Sequence, residues 1–337
     1  KKELAENCHP FAVEIKDFTK PVDIPAVDVP AGYTTLFVFP YSVGFQFSGF
    51  KNLAALNEAI TKRLKNLGVT TLLFMRHLEL IEYEIKIPGK EASGEYLLDA
   101  EPINDHCTRV SAIESEDDKT DESLSFIKFS MPIDSRVSTR TIDVAFTVAT
   151  GKEGKTTFQK AKNPYISVYF PTETESKLDF IVQGPFRTTP NRSSVPADEE
   201  ENEALAEQTA KLLRQSVLEL RDMGLLDLSL IRILPLDEDD FDVYPLFYPL
   251  YEEMRDLFSS ERVLPVKDGK GYTKAANAVI ARSREIAELL PSELISELIN
   301  DKRHYEWLPV SLTETGPYKD VLSYFSSILG IEVIRPE

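Results

Sequence analysis

At Pro196 the apolar residues change from strand spacing to helix spacing, and this break constrains the fold of the 337-residue chain more than any other feature. Before it, PFAVEI (10–15), TTLFVFPYSVGF (34–45), LIEYEIKI (80–87), SLSFIKFSM (123–131), RTIDVAFTVA (140–149), ISVYFPT (166–172) and KLDFIVQGPF (177–186) are rich in β-branched and aromatic residues. Pro, Gly and charged turns part them. One helix interrupts the series, FKNLAALNEAITKRLKNLG (50–68), closing on Gly68. SAIESEDDKTDES (111–123) reads as an acidic hairpin or loop, and the stretch around Glu91–Glu95 is polar. No long amphipathic crossover separates the later strands, which predicts an antiparallel meander and not a doubly wound sheet.

After the break, ADEEENEALAEQTAKLLRQSVLELRDMG (197–224) predicts a long helix with acids in its first turn and Gly224 at its end. Further helices are expected at 247–261, in SREIAELLP and PSELISELIN, and at 316–330, with a short hairpin near Lys267–Thr273. The fold class is therefore α+β, a β-rich unit followed by a mainly helical region.

Charge and cysteine content exclude several functions. Asp and Glu number 56 against 38 Lys and Arg, a formal charge of −18. So acidic a surface repels phosphate backbones and argues against a nucleic-acid partner. Cys8 and Cys107 are too few for a disulfide framework or a cysteine-rich metal site. No apolar run reaches bilayer-spanning length, and KKELAENCHPF contains no signal-like stretch. A cytoplasmic protein without membrane association is expected, and because the sequence lacks an initiator Met its true N-terminus is expected to lie elsewhere.

ATGKEGKT (149–156) fits a relaxed phosphate-loop pattern, with Ala149 where the stricter motif has Gly. A phosphate loop opens a helix whose amides cradle the phosphates. Here TTFQKAKN meets Pro164 too soon, so a charged hairpin turn through Gly151 and Gly154 is the better reading. His9, His77, His106 and His304 are scattered without metal-ligand spacing, and no metal ligands are expected. Asp239/Asp240 and Asp117/Asp118 read as solvated acids, and Trp307 as a core or junction residue.

QGPFRTTPNRSSV (183–195) is more informative. It leaves an apolar strand through Gly184–Pro185 and presents Arg187 and Arg192 before a helix opening with four acids, 198–201. Two guanidiniums at a strand exit can hold carboxylates or phosphates through rigid forks, or pair with that acidic helix start. Residue chemistry leaves both open.

PAGYTTLFVFP (30–40) looks like a Gly-Thr-Thr strand with Tyr33 inserted, and TTLLFMRHLELIEYEI (70–85) supplies a Leu-Phe-x-Arg segment after a helix. VYFPTETESKLDFIVQGPFRTTPNRSSV (168–195) has a strand with a Pro-Thr ending, a Gly-x-Phe turn and an Asn-Arg pair. With these motifs, and with 261–282 and 307–336 trailing them, most of the chain resembles Hsp90-like (GHKL) ATPases of the sacsin-like type. The likeness is to the region following their main nucleotide-binding motifs.

The resemblance implies an Hsp90-middle-domain-like (ribosomal protein S5 domain 2-like) unit and three regions. Residues 1–45 would be the closing strands of a Bergerat-type ATP-binding domain, 46–196 the middle (transducer) domain, and 197–337 the helical region. It implies that Arg192 is the catalytic arginine reaching the γ-phosphate, with Gln183 and Arg187 as cofactor-binding neighbours. ATP and Mg²⁺ would be the cofactors of the full-length protein. The family's Glu/Asn helix, Asp-x-Gly-x-Gly loop and Gly-rich lid are missing from this sequence, so the chain alone is expected to bind no nucleotide tightly. Its expected partner is an upstream ATP-binding domain or a second polypeptide, a second copy included, that pairs the strands of residues 1–40. The implied function is coupling of ATP binding or hydrolysis to conformational change, with a chaperone-like or defence role. A non-catalytic scaffold or protein-binding module is the alternative, and a divergent phosphate-loop protein the weaker one.

Overall fold

Residues 80–183 build one nine-stranded sheet in a computed structural model, which describes residues 52–75, 77–116, 122–134, 137–151, 154–162, 164–269, 271–299 and 301–335. The strands expected at 10–15 and 34–45, and the Gly-Thr-Thr element with them, lie outside the described residues. The chain divides into two compact units, Lys1–Arg63 and Leu64–Glu337, with α1 (Leu53–Lys65) crossing the boundary.

The sheet strands are β1 (Leu80–Ile87), β2 (Lys90–Pro102), β3 (Cys107–Glu116), β4 (Glu122–Asp134), β5 (Val137–Thr150), β6 (Thr156–Gln159), β7 (Tyr165–Val168), β8 (Phe170–Glu175) and β9 (Ile181–Gln183). Their spatial order is β1-β2-β3-β4-β5-β9-β7-β8, with β6 folded back on β5. Pairing is antiparallel throughout except between β7 and β9. Successive strands joined by short turns give this meander without crossover helices.

Both faces of β5 are covered, which explains its nearly continuous apolar run. Ile142, Val144, Phe146 and Val148 face one core together with residues of the later helices. Ala145 faces a second core with Phe126, Val110, Tyr96 and the turn residues Leu72–Phe74.

The helical part of this unit begins with α2 (Glu200–Asp222), α3 (Leu228–Ile231) and α4 (Tyr248–Ser260). Along α2, Leu205, Leu213, Val217 and Leu220 are buried at helical spacing, and the helix packs on β5 and α4. Gly224 ends it in the left-handed region, with Leu225 N donating to Leu220 O and Gly224 N to Arg221 O. That is the two-bond closure that glycine favours. Pro196 therefore marks a change of secondary structure inside one unit with a continuous core.

Other segments refine or correct the sequence reading. The polar stretch around Glu91–Glu95 belongs to β2, because main-chain pairing with β1 and β3 holds it on both sides. The acidic 111–123 segment spans the antiparallel strands β3, through Glu116, and β4, from Glu122, as a hairpin reading expects. Of KLDFIVQGPF only Ile181–Gln183 pairs as strand. ISVYFPT is two strands, because Tyr169 at φ 64° reverses the chain between β7 and β8. ATGKEGKT closes the β5–β6 hairpin, with Gly151 N donating to Lys155 O at 2.9 Å. A strand follows this loop where a phosphate loop needs a helix.

The rest of the unit contains the expected hairpin, β10 (Leu264–Pro265) with β11 (Tyr272–Thr273). It also contains a three-stranded parallel sheet that sequence analysis misses, with β12 (Ala278–Ala281) between β13 (Glu306–Trp307) and β14 (Glu332–Ile334). Helices α5 (Arg284–Leu289), α6 (Ser292–Ile299) and α7 (Lys319–Ser323) complete it, α7 running on into a π-helical turn at Tyr324–Ile328. Trp307 is a core residue here, its Nε1 donating to Leu290 O at 2.8 Å. No helix of the described residues is long and apolar enough to cross a membrane.

Candidate functional site

The segment after β9 is a rigid, exposed turn carrying Arg192. Arg192 N donates to Thr189 O at 2.8 Å, which closes a four-residue turn with Pro190 and Asn191 at its centre. Proline at the first central position pre-sets the backbone, and the Asn191 side chain accepts from Thr189 Oγ1 at 2.7 Å and from Ser193 Oγ at 3.0 Å. Main-chain bonds fasten the turn to β8, with Glu173 N donating to Ser193 O. Val195 N donates to Thr174 Oγ1 at 3.0 Å. Tyr244, whose phenol burial pushes above its usual range, donates to Val195 O at 2.7 Å.

The turn leaves Arg192 at φ 59°, in the left-handed region that long side chains avoid. Such a conformation opposes folding by on the order of 1 kcal/mol and persists where the surroundings dictate it. The guanidinium is exposed, and its one contact among the described residues is Nη2 donating to the Val168 carbonyl at 3.3 Å. Among the described residues no carboxylate lies within ion-pair distance of it.

Arg187 differs. Its Nε and Nη2 each donate to a Glu201 carboxylate oxygen at 2.6 Å, a forked pair at the start of α2. The hydrogen bonds hold Glu201 below the usual carboxylate range and Arg187 above its own. Both groups are solvent-exposed, so the pair adds little stability. Gln183, on β9, is 2% exposed and lies opposite Asp143 of β5 in the register. Gln183 also pairs with Ser167, next to the Val168 whose carbonyl anchors Arg192. The structure thus brings Gln183 and Arg192 to the same short strand β7 and gives Arg187 to α2.

Asn202 is the residue that sequence reasoning missed. It is fully buried in the first turn of α2, where its Oδ1 accepts from Arg187 N at 2.7 Å. Its Nδ2 donates to Arg187 O at 3.1 Å and Pro196 O at 2.8 Å. Both ends of the arginine-bearing loop are therefore tied to one side chain. An Asn amid the glutamates of EEENEALA was the available signal, because a polar residue on the buried face of an amphipathic helix needs partners. Asn202→Ala is expected to lower stability by about 1–3 kcal/mol, since it leaves half-buried main-chain groups without their partner. Urea denaturation measures this, and an unchanged midpoint would mean that the loop holds its shape without Asn202.

Other residues singled out by the sequence are structural. Cys107 is buried, and burial foremost, with the Glu219 charge, pushes its thiol up to about 12, far from nucleophilic use at neutral pH. His304 contacts Glu306 at 2.8 Å. Among the described residues no group of three His, Cys, Asp or Glu side chains is placed to hold a metal ion.

No protein-family model, curated protein or solved structure matches the chain.

Proposed function

We propose that this chain is the transducer portion of a sacsin-like, Hsp90-like ATPase, in which Arg192 contacts the phosphates of ATP held by another domain or polypeptide. The observation that carries it is the contrast between the two arginines. Arg187 is neutralised by Glu201, whereas Arg192 is exposed, strained at φ 59° and, among the described residues, fastened only to a main-chain carbonyl. A strained, pre-positioned cation is poised for an anion that the described residues do not themselves supply. In phosphoryl transfer such a group offsets charge developing on the transferred phosphoryl and costs no reorganisation at the moment of reaction. The fastening of its turn to β8, and through Asn202 to α2, couples a pull on Arg192 to the sheet and the helices at once. ATP and Mg²⁺ belong to the partner in this proposal, and no step of hydrolysis is assigned to the described residues.

Calorimetric titration tests the division of labour. Mg-ATP added to this chain alone is expected to show no tight site, and added together with the nucleotide-holding partner to support turnover. Micromolar binding by this chain alone, lost in Lys155→Ala, would contradict the proposal and favour the phosphate-loop alternative.

A further inference from the structure

The small parallel sheet has the topology of a ligand-binding edge. Its order, β13-β12-β14, puts the first strand in the chain between the other two. The chain passes from β12 to the strand at one edge and then to the strand at the opposite edge. Open parallel sheets with such a reversal bind ligands in the crevice outside the carboxyl ends of their strands. A cavity of about 240 Å³ lies at that place. It is lined by the end of β12 through Arg282, by Val333 of the adjoining β14, by residues 312–315 after β13 and by Leu322 of α7.

Local structure brings two opposite charges to this cavity. Arg282 N donates to Ile334 O at 3.0 Å, which fixes the arginine where β12 ends. The loop opposite is shaped by two turns, with Leu312 N donating to Pro309 O at 3.1 Å and Gly316 N to Thr313 O at 3.3 Å. Glu314 sits between them and meets Arg282 in a forked pair, Nη1 donating to Oε1 and Nη2 to Oε2. The side chains are 41% and 56% exposed, so both charges are open to a ligand.

That pair narrows the chemistry. An exposed ion pair contributes little stability and opens at small cost. A ligand with one charge makes one ionic contact in place of the one it breaks, whereas a zwitterion makes two. An α-amino acid carries its ammonium and carboxylate on adjoining carbons, so it fits between partners that already touch. Beside the pair, Leu322 and Val333 are half-buried against the core and offer apolar surface. The volume falls below the roughly 300–1,000 Å³ of sites for drug-sized ligands, which calls for a small molecule.

We infer that this cavity binds a small α-amino acid with a short apolar side chain. Its carboxylate meets Arg282, its ammonium meets Glu314, and its side chain lies towards Leu322 and Val333. The inference does not depend on the ATPase proposal.

Titration of the chain with L-valine, isovalerate and isobutylamine tests it. Isovalerate is valine without its ammonium, and isobutylamine is valine without its carboxylate. Valine is expected to bind at about 1 mM or tighter, and each of the other two at least about tenfold more weakly. Glu314→Gln should weaken valine by about tenfold or more and leave isovalerate binding no weaker. Arg282→Gln should weaken valine as much and leave isobutylamine binding no weaker. Since the pair is exposed, both variants should melt within about 2 °C of wild type. No binding of valine at about 20 mM would overturn the inference. So would isovalerate or isobutylamine binding as tightly as valine, or undiminished valine affinity in either variant.

Discussion

Phe146→Ala is expected to remove about 3–5 kcal/mol of folding stability, the largest single-residue effect predicted in the fold. Phe146 is fully buried on β5, at the junction of the sheet with the helical core. Its ring stands edge-on to Phe129 and Phe158, with centroids 6.2 and 6.1 Å away, and tilted to Phe180 at 5.2 Å. Each such aromatic pair adds about 0.5–1.5 kcal/mol beyond area burial. Truncation would leave a cavity that two hydrogen-bonded strands cannot collapse to fill. Urea denaturation gives the difference, with Leu298→Ala on the exposed side of α6 expected to stay within about 0.5 kcal/mol of wild type. A loss below about 1 kcal/mol for Phe146→Ala would mean that the sheet and the helices do not depend on a common core.

The parts of the fold legible in the sequence are those where one period runs long enough to be counted. RTIDVAFTVA and the helix ending at Gly224 announce themselves because burial acts on many consecutive turns or pleats. AVIA of β12, EW of β13 and EVI of β14 do not, since two to four residues fit strand, helix or loop equally. The polar start of β2 hides for a different reason. Glu91 and Glu95 are placed by main-chain pairing, which leaves no trace in side-chain pattern. At the candidate site, the Pro190–Asn191 turn is readable from turn chemistry, but the fates of the two arginines are not. Whether a guanidinium meets Glu201 or a bare carbonyl depends on where the chain lies in space.

The largest functional effect is expected at Arg192. If the proposed transducer role holds, Arg192→Ala in the full-length protein should lower ATP turnover by about ten- to a thousandfold, about 1.4–4 kcal/mol, and alter nucleotide affinity far less. A group that strengthens its contact as charge develops acts on the transition state more than on bound ATP. Arg187→Ala should do less, because its guanidinium is already paired with Glu201 at the surface. Arg192→Gly sharpens the comparison. Glycine adopts φ 59° without strain, so this variant keeps the turn and should be at least as stable as wild type. In a scaffold whose Arg192 only braces the Val168 carbonyl, both Arg192 variants would shift melting temperature and leave turnover per folded molecule unchanged.

ATP turnover and melting temperature measured together on Arg192→Gly in the full-length protein separate these cases most directly. The transducer role predicts a loss of turnover of about tenfold or more in a protein that melts no lower than wild type. Undiminished turnover in that stable variant would contradict it and leave Arg192 as part of a binding scaffold.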